Sequence, residues 1–509
     1  MLERLLKEIT HKFPDKTAIV YDRSPISYQQ LYHWVREFSR GLRNLGIGEG
    51  DCVAVLLPNC PEFIIAFYAI AKQKAIILPL NPLFKAEEIE GYLQDSQAKV
   101  IITDRQRADI CYVLKEKFNP EIKVILVDAN GSEAENFYDL MVADTGENEA
   151  DTEAYLGDII YQYSSGTTGI PKRICRTQYN LYHEAKNLAE TAHINKADII
   201  LCLVPLHHAH GLGNCLLAAL SNGATLVILE PVLQGETIVE VPFIFRRNRI
   251  LELLETEKVT ILPIVPYIVE AIAETPADVN PDLSNLRLCF SAGNFLSKET
   301  FVKFLQRWKV PVRQLYGCTE AGSVTINLDE QVENTHDSVG MPMKNVTVTI
   351  VDEEGNELPI ETRGEVVIKS EALTRGYANL PELNRQVWQN GAFFTGDLGK
   401  KDAAGRLYIT GRKKLLIDTG GYKVDPLEIE DVLISHPQVK EAVVVGVKEI
   451  YAGEKVKAVI VPLTQECTSQ EILYFCQGKL AKFKIPKIIE FRDKIPKSPL
   501  GKILRKDLV

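Results

Sequence analysis

The sequence predicts an α/β chain: a large N-terminal domain of strands and helices in alternation, followed by a small α+β domain. Three observations carry this. Residues 27–130 alternate apolar strand-like runs with helical patterns, and the same runs recur between 199 and 291. After about residue 338 the pattern changes to short strands joined by acidic and glycine turns. From about Gly411 the tail carries a helix-and-strand set of its own.

Taken in order, Met1-Leu-Glu-Arg-Leu-Leu-Lys-Glu-Ile-Thr places Leu2, Leu5, Leu6 and Ile9 on one helical face, and is too charged for a signal-peptide core. Ser27 caps a helix through Leu45 with Leu31, Val35, Phe38 and Leu42 inward, and Gly46 and Gly48 end it. Cys52–Leu57 is a buried strand closed by Pro58-Asn59, and Pro61 opens another helix. Strands follow at Ala75–Leu80, Val100–Thr103 and Lys123–Val127. Connections of this length imply parallel pairing with helices on the faces. Ile199–Pro205, Ala224–Leu229, Val259–Pro263 and Leu286–Ser291 repeat the pattern. Val346–Val351, Gly364–Lys369 and Gly405–Ile409 read as an antiparallel or barrel-like unit. The tail has helices at Pro426–Ser435 and Ser469–Ala481 around strands Ala442–Val447 and Lys455–Pro462.

The 509 residues are 46% hydrophobic and 25% charged, enough core material for several domains. A net charge of −10 argues against a nucleic-acid or anionic-membrane surface. The ten cysteines fall at no metal-ligand spacing and read as small buried residues of a reducing compartment. No apolar run reaches the roughly 18 residues of a membrane span, so the expectation is a cytoplasmic protein.

The most informative stretch is Tyr163-Ser-Ser-Gly-Thr-Thr-Gly-Ile-Pro-Lys-Arg-Ile174. Gly166 and Gly169 let backbone N–H groups approach an anion. Ser164, Ser165, Thr167 and Thr168 add hydroxyl donors, and Lys172 a charged one. Ile170-Pro171 after Gly169 excludes a Walker loop, which needs lysine and a helix there. A polar surface turn is the plain alternative.

Further clusters follow in order. Leu315-Tyr-Gly-Cys-Thr-Glu320 offers a ring at Tyr316 and a hydroxyl beside a carboxylate at Thr319 and Glu320, groups that hold Mg²⁺ and a phosphate oxygen together. A plain strand end would look the same. Phe394-Thr-Gly-Asp-Leu-Gly399 places Asp397 where a carboxylate can accept two ribose hydroxyls, or form an ordinary Asx turn. Ile409-Thr-Gly-Arg-Lys-Lys414 reads as a hinge or a solvated linker, and Pro496–Lys502 as a basic tail. Pro205-Leu-His-His-Ala-His-Gly-Leu212 groups three histidines without a zinc spacing.

Taken together these motifs resemble the adenylate-forming superfamily of acyl- and aryl-CoA synthetases, peptide-synthetase adenylation domains and firefly-type luciferases. The resemblance runs from Ser27-Tyr28 to Lys502. It implies an N-terminal domain over 1–412, with two mixed sheets, helices and a barrel-like sheet, and a mobile C-terminal lid over 413–509 turning near Lys414. It further implies two half-reactions: ATP and a carboxylic acid give an acyl-adenylate, and a thiol (CoA or a carrier-protein phosphopantetheine) takes the acyl group. By position, Ser164, Ser165, Gly166, Thr167, Thr168, Gly169 and Lys172 would hold phosphates, with Thr319, Glu320 and Thr167 near Mg²⁺. Gly293, Asn294, Tyr316 and Gly317 would line the adenine site, and Asp397 and Arg412 the ribose. Lys502 would bridge the α-phosphate and the acid, with His208 beside the chemistry.

The chain departs from the family pattern at Leu415, where many members carry an acid, at Asp418, where some carry lysine, and at a long Leu233–Val241 loop. Its Arg246-Arg247-Asn-Arg249 run reads as a solvated face. The acid should lie among 207–215, 264–266, 291–294 and 315–323. His208 is followed by Ala209, so an α-ammonium there would be unpaired, and Cys215, Val265, Ala292 and Cys318 are small or apolar. A fatty or aryl acid is therefore expected. A stand-alone amino-acid adenylating enzyme that loads a carrier protein, or a silent nucleotide-binding homologue, are the alternatives.

Overall fold

A computed structural model of the chain describes residues 1–128, 135–142, 155–164, 172–235, 237–239, 241, 243–412, 417–419, 422–448, 453–464, 467–496, 503 and 505–509. Of Ser164, Arg412, Leu427 and Lys506 only the backbone is described. Two compact units result. The first comprises Met1–Pro82, Leu93–Gln162 and Ile174–Gly411, and the second Leu83–Tyr92, Tyr163–Arg173 and Arg412–Val509. Two short segments that the sequence reading gave to the N-terminal domain thus cluster with the C-terminal one.

The first unit is built on three sheets. A seven-stranded sheet has the order 135–136, 123–126, 100–103, 52–56, 76–79, 158–164, 172–177. A nine-stranded sheet runs 341–342, 322–326, 312–318, 288–291, 261–264, 199–202, 225–228, 17–21, 24–27, parallel through its middle and antiparallel at both edges. Helix Pro61–Lys72 is apolar all round because it belongs to one core shared by both sheets, with Val53, Ile77 and Ile102 on one side and Ile200, Leu226 and Ile261 on the other. Strand periodicity assigns the opposite face: Leu201, Val227 and Leu262 turn to a second core under helices Phe243–Thr256, Pro266–Ala273 and Lys298–Trp308. The third sheet, over residues 346–351, 364–370, 388–389, 392–401 and 407–412, pairs 346–351 with 364–370, 364–370 with 392–401 and 388–389 with 392–401, all antiparallel, as the acidic and glycine turns required.

In the second unit Val439–Lys448 pairs antiparallel with Glu454–Pro462, which pairs parallel with Ile488–Phe491. Val444, Val456 and Ile460 pack on Ile429 and Leu433 of helix Pro426–Ile434 and on Ile472 and Cys476 of helix Ser469–Lys479. Val443, Val445 and Val459 face a separate small cluster with Ile495 and Leu508.

Several expectations hold closely. Ser27 Oγ accepts from Gln30 N at 3.1 Å and starts helix Tyr28–Asn44. The cysteines are free thiols, buried except for half-buried Cys175 and Cys318. Among the described residues no helix is long and apolar enough to cross a membrane. One expectation is overturned. The Arg246–Arg249 run is not a solvated face: Arg249 Nε lies 2.8 Å from Glu230 Oε1 and Arg246 Nη2 donates to the Glu230 carbonyl, with side chains 19% and 13% exposed. The sequence pattern shows three cations but not the carboxylate that folds against them from residue 230. The loop before them forms a short hairpin, Val232–Gln234 with Thr237–Val239.

Helix Tyr28–Asn44 passes so close to Leu140 that a Cβ on Gly41 would lie 2.0 Å from the Leu140 carbonyl oxygen. Backbone cannot yield there as a side chain can. Gly41→Ala is expected to lower stability in urea unfolding by about 1–3 kcal/mol, whereas Gly48→Ala, where nothing lies within 4 Å, should change it by less than about 0.5 kcal/mol.

Candidate active site

Four neighbouring parallel strands of the nine-stranded sheet build the site. In the order Val312–Cys318, Leu288–Ser291, Ile261–Ile264 and Ile199–Cys202, each ends its run on the same side of the sheet. The segments that follow them are Thr319-Glu320, Ala292–Asn294, Val265 and the histidine loop. In open parallel sheets the crevice outside the carboxyl ends is where ligands bind. The four stretches expected to choose the acid are therefore side by side because their strands are.

Strand Val312–Cys318 carries Tyr316 and Gly317 at its end and reverses into Gly322–Ile326. The reversal needs glycine twice. A Cβ at Gly317 would meet the Gly322 carbonyl oxygen at 2.3 Å, and Gly322 has φ +69°. Within this turn Thr319 is half-buried and Glu320 is buried. Glu320 Oε1 accepts from the Tyr377 hydroxyl at 2.7 Å, and the Glu320 carbonyl accepts from Thr374 N at 2.8 Å. A buried carboxylate with one oxygen fixed by a phenol suits a hard oxygen-seeking cation such as Mg²⁺.

Tyr316 and Asp397, predicted for the same nucleotide, meet: the Tyr316 hydroxyl donates to Asp397 Oδ2 at 2.6 Å. Burial, then the neighbouring Asp397 charge, raises the phenol well above its usual range, so it stays a donor. Asp397 is no isolated Asx turn. It lies within strand Ala392–Lys401 at a bulge opposite Glu365–Val367, where Gly396 has φ +74° and donates to Glu365 Oε1 at 2.9 Å. Thr395 Oγ1 accepts from Asp397 N at 3.0 Å and donates to the Val366 carbonyl, which fixes the aim of the carboxylate. Gly293, with φ +88°, and Asn294 are exposed just past strand Leu288–Ser291. Ala292 is buried and its amide donates to the Ile264 carbonyl at 3.0 Å.

In the histidine loop His208 is exposed, and its Nδ1 accepts from His210 N at 3.2 Å to start the turn Ala209–Gly211. A wider turn, Leu212–Leu217, follows and buries Cys215 completely beside Cys202, which places the thiol in the core beneath the loop. Ala209, Val265 and Cys318 are half-buried. Sequence reasoning passed over His210, which is buried. Its Nε2 lies 3.2 Å from the Ile264 carbonyl oxygen and its Nδ1 lies 2.7 Å from Asn214 Nδ2, whose amide oxygen accepts from Ser323 Oγ at 2.6 Å. The carbonyl only accepts, so Nε2 carries the proton and the ring is neutral. Burial, then His208 nearby, holds its pKa down to about 4. This chain ties three of the four acid-choosing stretches together. The one available signal was an asparagine four residues after His210 in an otherwise apolar helical run. Tyr377 was also missed, its only mark being a Gly-Tyr pair in a polar stretch.

Beneath this floor Arg176 Nη2 lies 2.7 Å from Glu184 Oε2, with side chains 1% and 2% exposed. A Cβ at Gly213 would fall 2.0 Å from Glu184 Oε1, and one at Gly322 2.4 Å from Glu184 Cδ. Both glycines leave room for that carboxylate.

In the second unit, Lys172 is half-buried and opens strand Lys172–Thr177, and Asp418 pairs with Lys423 Nζ at 2.9 Å. Ser165, Gly166, Thr167, Thr168, Gly169, Lys414, Leu415 and Lys502 lie outside the described residues, as do the side chains of Ser164 and Arg412.

Comparisons with known proteins agree in class. A family model described as AMP-binding enzyme matches residues 6–378, and one described as AMP-binding enzyme C-terminal domain matches 428–502. A 4-coumarate–CoA ligase of Oryza sativa subsp. japonica is 33% identical over 95% of this chain and 86% of its own length. A long-chain-fatty-acid–CoA ligase of Bacillus subtilis (strain 168) is 30% identical over 100% of this chain and 94% of its own. Among solved structures, a double mutant of the o-succinylbenzoate CoA synthetase of Bacillus subtilis, bound with a product analogue, superposes with TM-score 0.86 at 25% identity, covering 99% of this chain and 98% of that one.

The buried histidine makes stability depend on pH. The unfolded chain binds a proton at the ordinary histidine pKa near 6.5, while folded His210 does so only near 4. Its contribution is complete above pH 6.5 and is lost as pH falls from there to 4, about 2 kcal/mol of it by pH 5. His207, held down to about 3 by burial, acts in the same direction. Urea unfolding from pH 7 to 5 should show this slope, and His210→Phe should reduce it by about the His210 share, leaving the His207 share, whatever its effect on stability at pH 7.

Proposed function

We propose, for a chain that belongs to the AMP-binding enzyme family, that it joins a fatty or aryl carboxylic acid to CoA through an acyl-adenylate. The class of activity, an AMP-forming acid–thiol ligase, follows from the family and from relatives that are CoA ligases. The observation that carries the site is the convergence of the four strand-end segments with Asp397, held by Tyr316, and Glu320, held by Tyr377.

The acid attacks the α-phosphate of ATP, the bond to pyrophosphate breaks, and the thiol later displaces AMP. Attack brings one anion onto another, so fixed cations must offset the repulsion. Lys172 and the hydroxyls and glycines of 164–169 would hold the outer phosphates, and Lys502 would sit between the α-phosphate and the acid. Tyr316, Gly293 and Asn294 would border the base, with Asp397 and Arg412 on the ribose. Glu320, with Thr319 and Thr167, would hold Mg²⁺, which supplies charge neutralisation on the triphosphate when bound.

The acid reading rests on Ala209, Val265, Ala292 and Cys318, which are small or apolar, and on His210, whose two nitrogens are both engaged and uncharged. None of these groups pairs an ammonium. Free CoA is favoured as the acceptor because the relatives are CoA ligases.

Acid-dependent ATP–pyrophosphate exchange, run with straight-chain acids, aryl acids and the twenty amino acids, tests this reading. Acids without nitrogen should lead amino acids by at least about 10² in kcat/KM, and the leading acid should pass to added CoA. A preference for any amino acid, or transfer only to a carrier protein, would contradict it.

A further inference from the structure

One oxygen of the buried Glu320 carboxylate is taken and the other is left. Oε1 accepts from the Tyr377 hydroxyl at 2.7 Å, while among the described residues no hydrogen bond or ion pair reaches Oε2. The Glu320 carbonyl accepts from Thr374 N at 2.8 Å. A single stretch, 374–377, therefore fixes residue 320 twice, once at the backbone and once at the side chain.

The phenol is itself held three times over. Tyr377 N donates to Asn384 Oδ1 at 2.9 Å, and the Tyr377 carbonyl accepts from Asn384 Nδ2 at 2.8 Å, so one side-chain amide spans both backbone groups. Asn384 belongs to the short helix Pro381–Val387. The Trp388 ring meets that of Tyr377 edge-on, with centres 5.0 Å apart, and stacks in turn on buried Phe393 at 4.6 Å. Tyr377 also bridges antiparallel to Ile174, and Thr374 Oγ1 donates to the Cys175 carbonyl. Every residue of this assembly lies in the first unit.

The last torsion of a glutamate has no steep staggered wells, so the plane of its carboxylate is set by its partners. Mg²⁺ demands near-octahedral oxygens at about 2.0–2.1 Å, whereas Ca²⁺ accepts a flexible set at about 2.3–2.6 Å. A carboxylate of fixed plane therefore favours the smaller ion. We propose that Tyr377 and Asn384 are positioning residues for Mg²⁺: the phenol holds Glu320 Oε1 so that Oε2 is presented to the metal, and the Asn384 amide fixes the residue that carries the phenol. Neither side chain is a metal ligand. The inference rests on the proposed adenylation, in which Glu320 takes Mg²⁺, and adds what aims that carboxylate and which cation the aim selects.

The test measures equilibrium binding of ATP in EDTA, in Mg²⁺ and in Ca²⁺, for the full chain and three variants, and compares the gain in affinity that each metal gives. Tyr377→Phe removes only the phenol oxygen. Asn384→Ala keeps the phenol, loosens its seat and carries the same test if Tyr377→Phe does not fold. Tyr408→Phe is the control, since it removes another phenol that donates to a carboxylate of the first unit, Asp402 Oδ2. The unaltered chain should gain at least about 10-fold from Mg²⁺, and Tyr377→Phe should lose about 10-fold of that gain with its metal-free affinity within about 2-fold. Its Ca²⁺ gain should fall by less than about 3-fold, because Ca²⁺ tolerates a looser carboxylate. Asn384→Ala should move in the same direction by a smaller factor, and Tyr408→Phe should move none of the three. A Mg²⁺ gain that is unchanged in Tyr377→Phe, or lost equally with Ca²⁺, would overturn the inference. So would a fall in metal-free affinity that matches the fall with Mg²⁺ and tracks the thermal midpoint, because that is loss of fold. Acid-dependent exchange by the unaltered chain separates the two readings: its absence would overturn the adenylation, while the metal gain decides the roles of Tyr377 and Asn384.

Discussion

The site depends on one buried ion pair, Arg176 with Glu184. Both side chains are almost wholly out of water, and the Glu184 carboxylate fills the space that a side chain at Gly213 or Gly322 would need. Helix Gln178–Ala192, the turn Leu212–Leu217 and the strand Gly322–Ile326 are thereby brought against one charge. Removing one partner would leave the other buried and unpaired, a loss of about 3–5 kcal/mol, so the arrangement admits little drift. Thr177 caps that helix, and Asn180 donates to the Glu371 and Leu373 carbonyls, which lie a few residues before Thr374 and Tyr377. The same helix thus anchors the stretch that holds Glu320.

Chemically, the constraint is that two anions must be brought together. Within the first unit His210, Asn214 and Ser323 form a fixed and uncharged polar chain across three of the acid-choosing stretches. His210 is neutral with both nitrogens engaged, and Tyr316 remains a phenol beside Asp397. In the proposed reaction such a floor would orient the nucleotide and accept an apolar tail, and the cations would come from elsewhere in the chain. The proposed reaction would draw its positive charge from Lys172 and Lys502.

Much of this was legible because it is local. Ser27, Pro61 and the apolar runs at 52–56 and 100–103 announce themselves through caps and strand periodicity. Tyr316, Glu320 and Asp397 sit in short motifs whose order along the chain carries the family. What stayed hidden are partners supplied from far away in sequence. Tyr377 reaches Glu320 across 57 positions, Ser323 reaches Asn214 across 109, and Lys484 reaches Glu88 across 396. Glu230 turned an apparently solvated arginine run into an ion-paired one by the same means. No window of neighbouring residues contains such pairs, because they exist only once sheets have set which strand ends lie together.

The central claim is the proposed adenylation, in which one cation must offset the approach of two anions, and Lys502 tests it most directly. The measurement is Lys502→Ala assayed separately in both half-reactions: acid-dependent ATP–pyrophosphate exchange, and thioester formation from supplied acyl-adenylate. The account predicts a loss of about 10²–10³ in the exchange rate with the thioester rate preserved, since the charge is needed only while the two anions approach. Equal loss in both half-reactions, or none in the first, would contradict it.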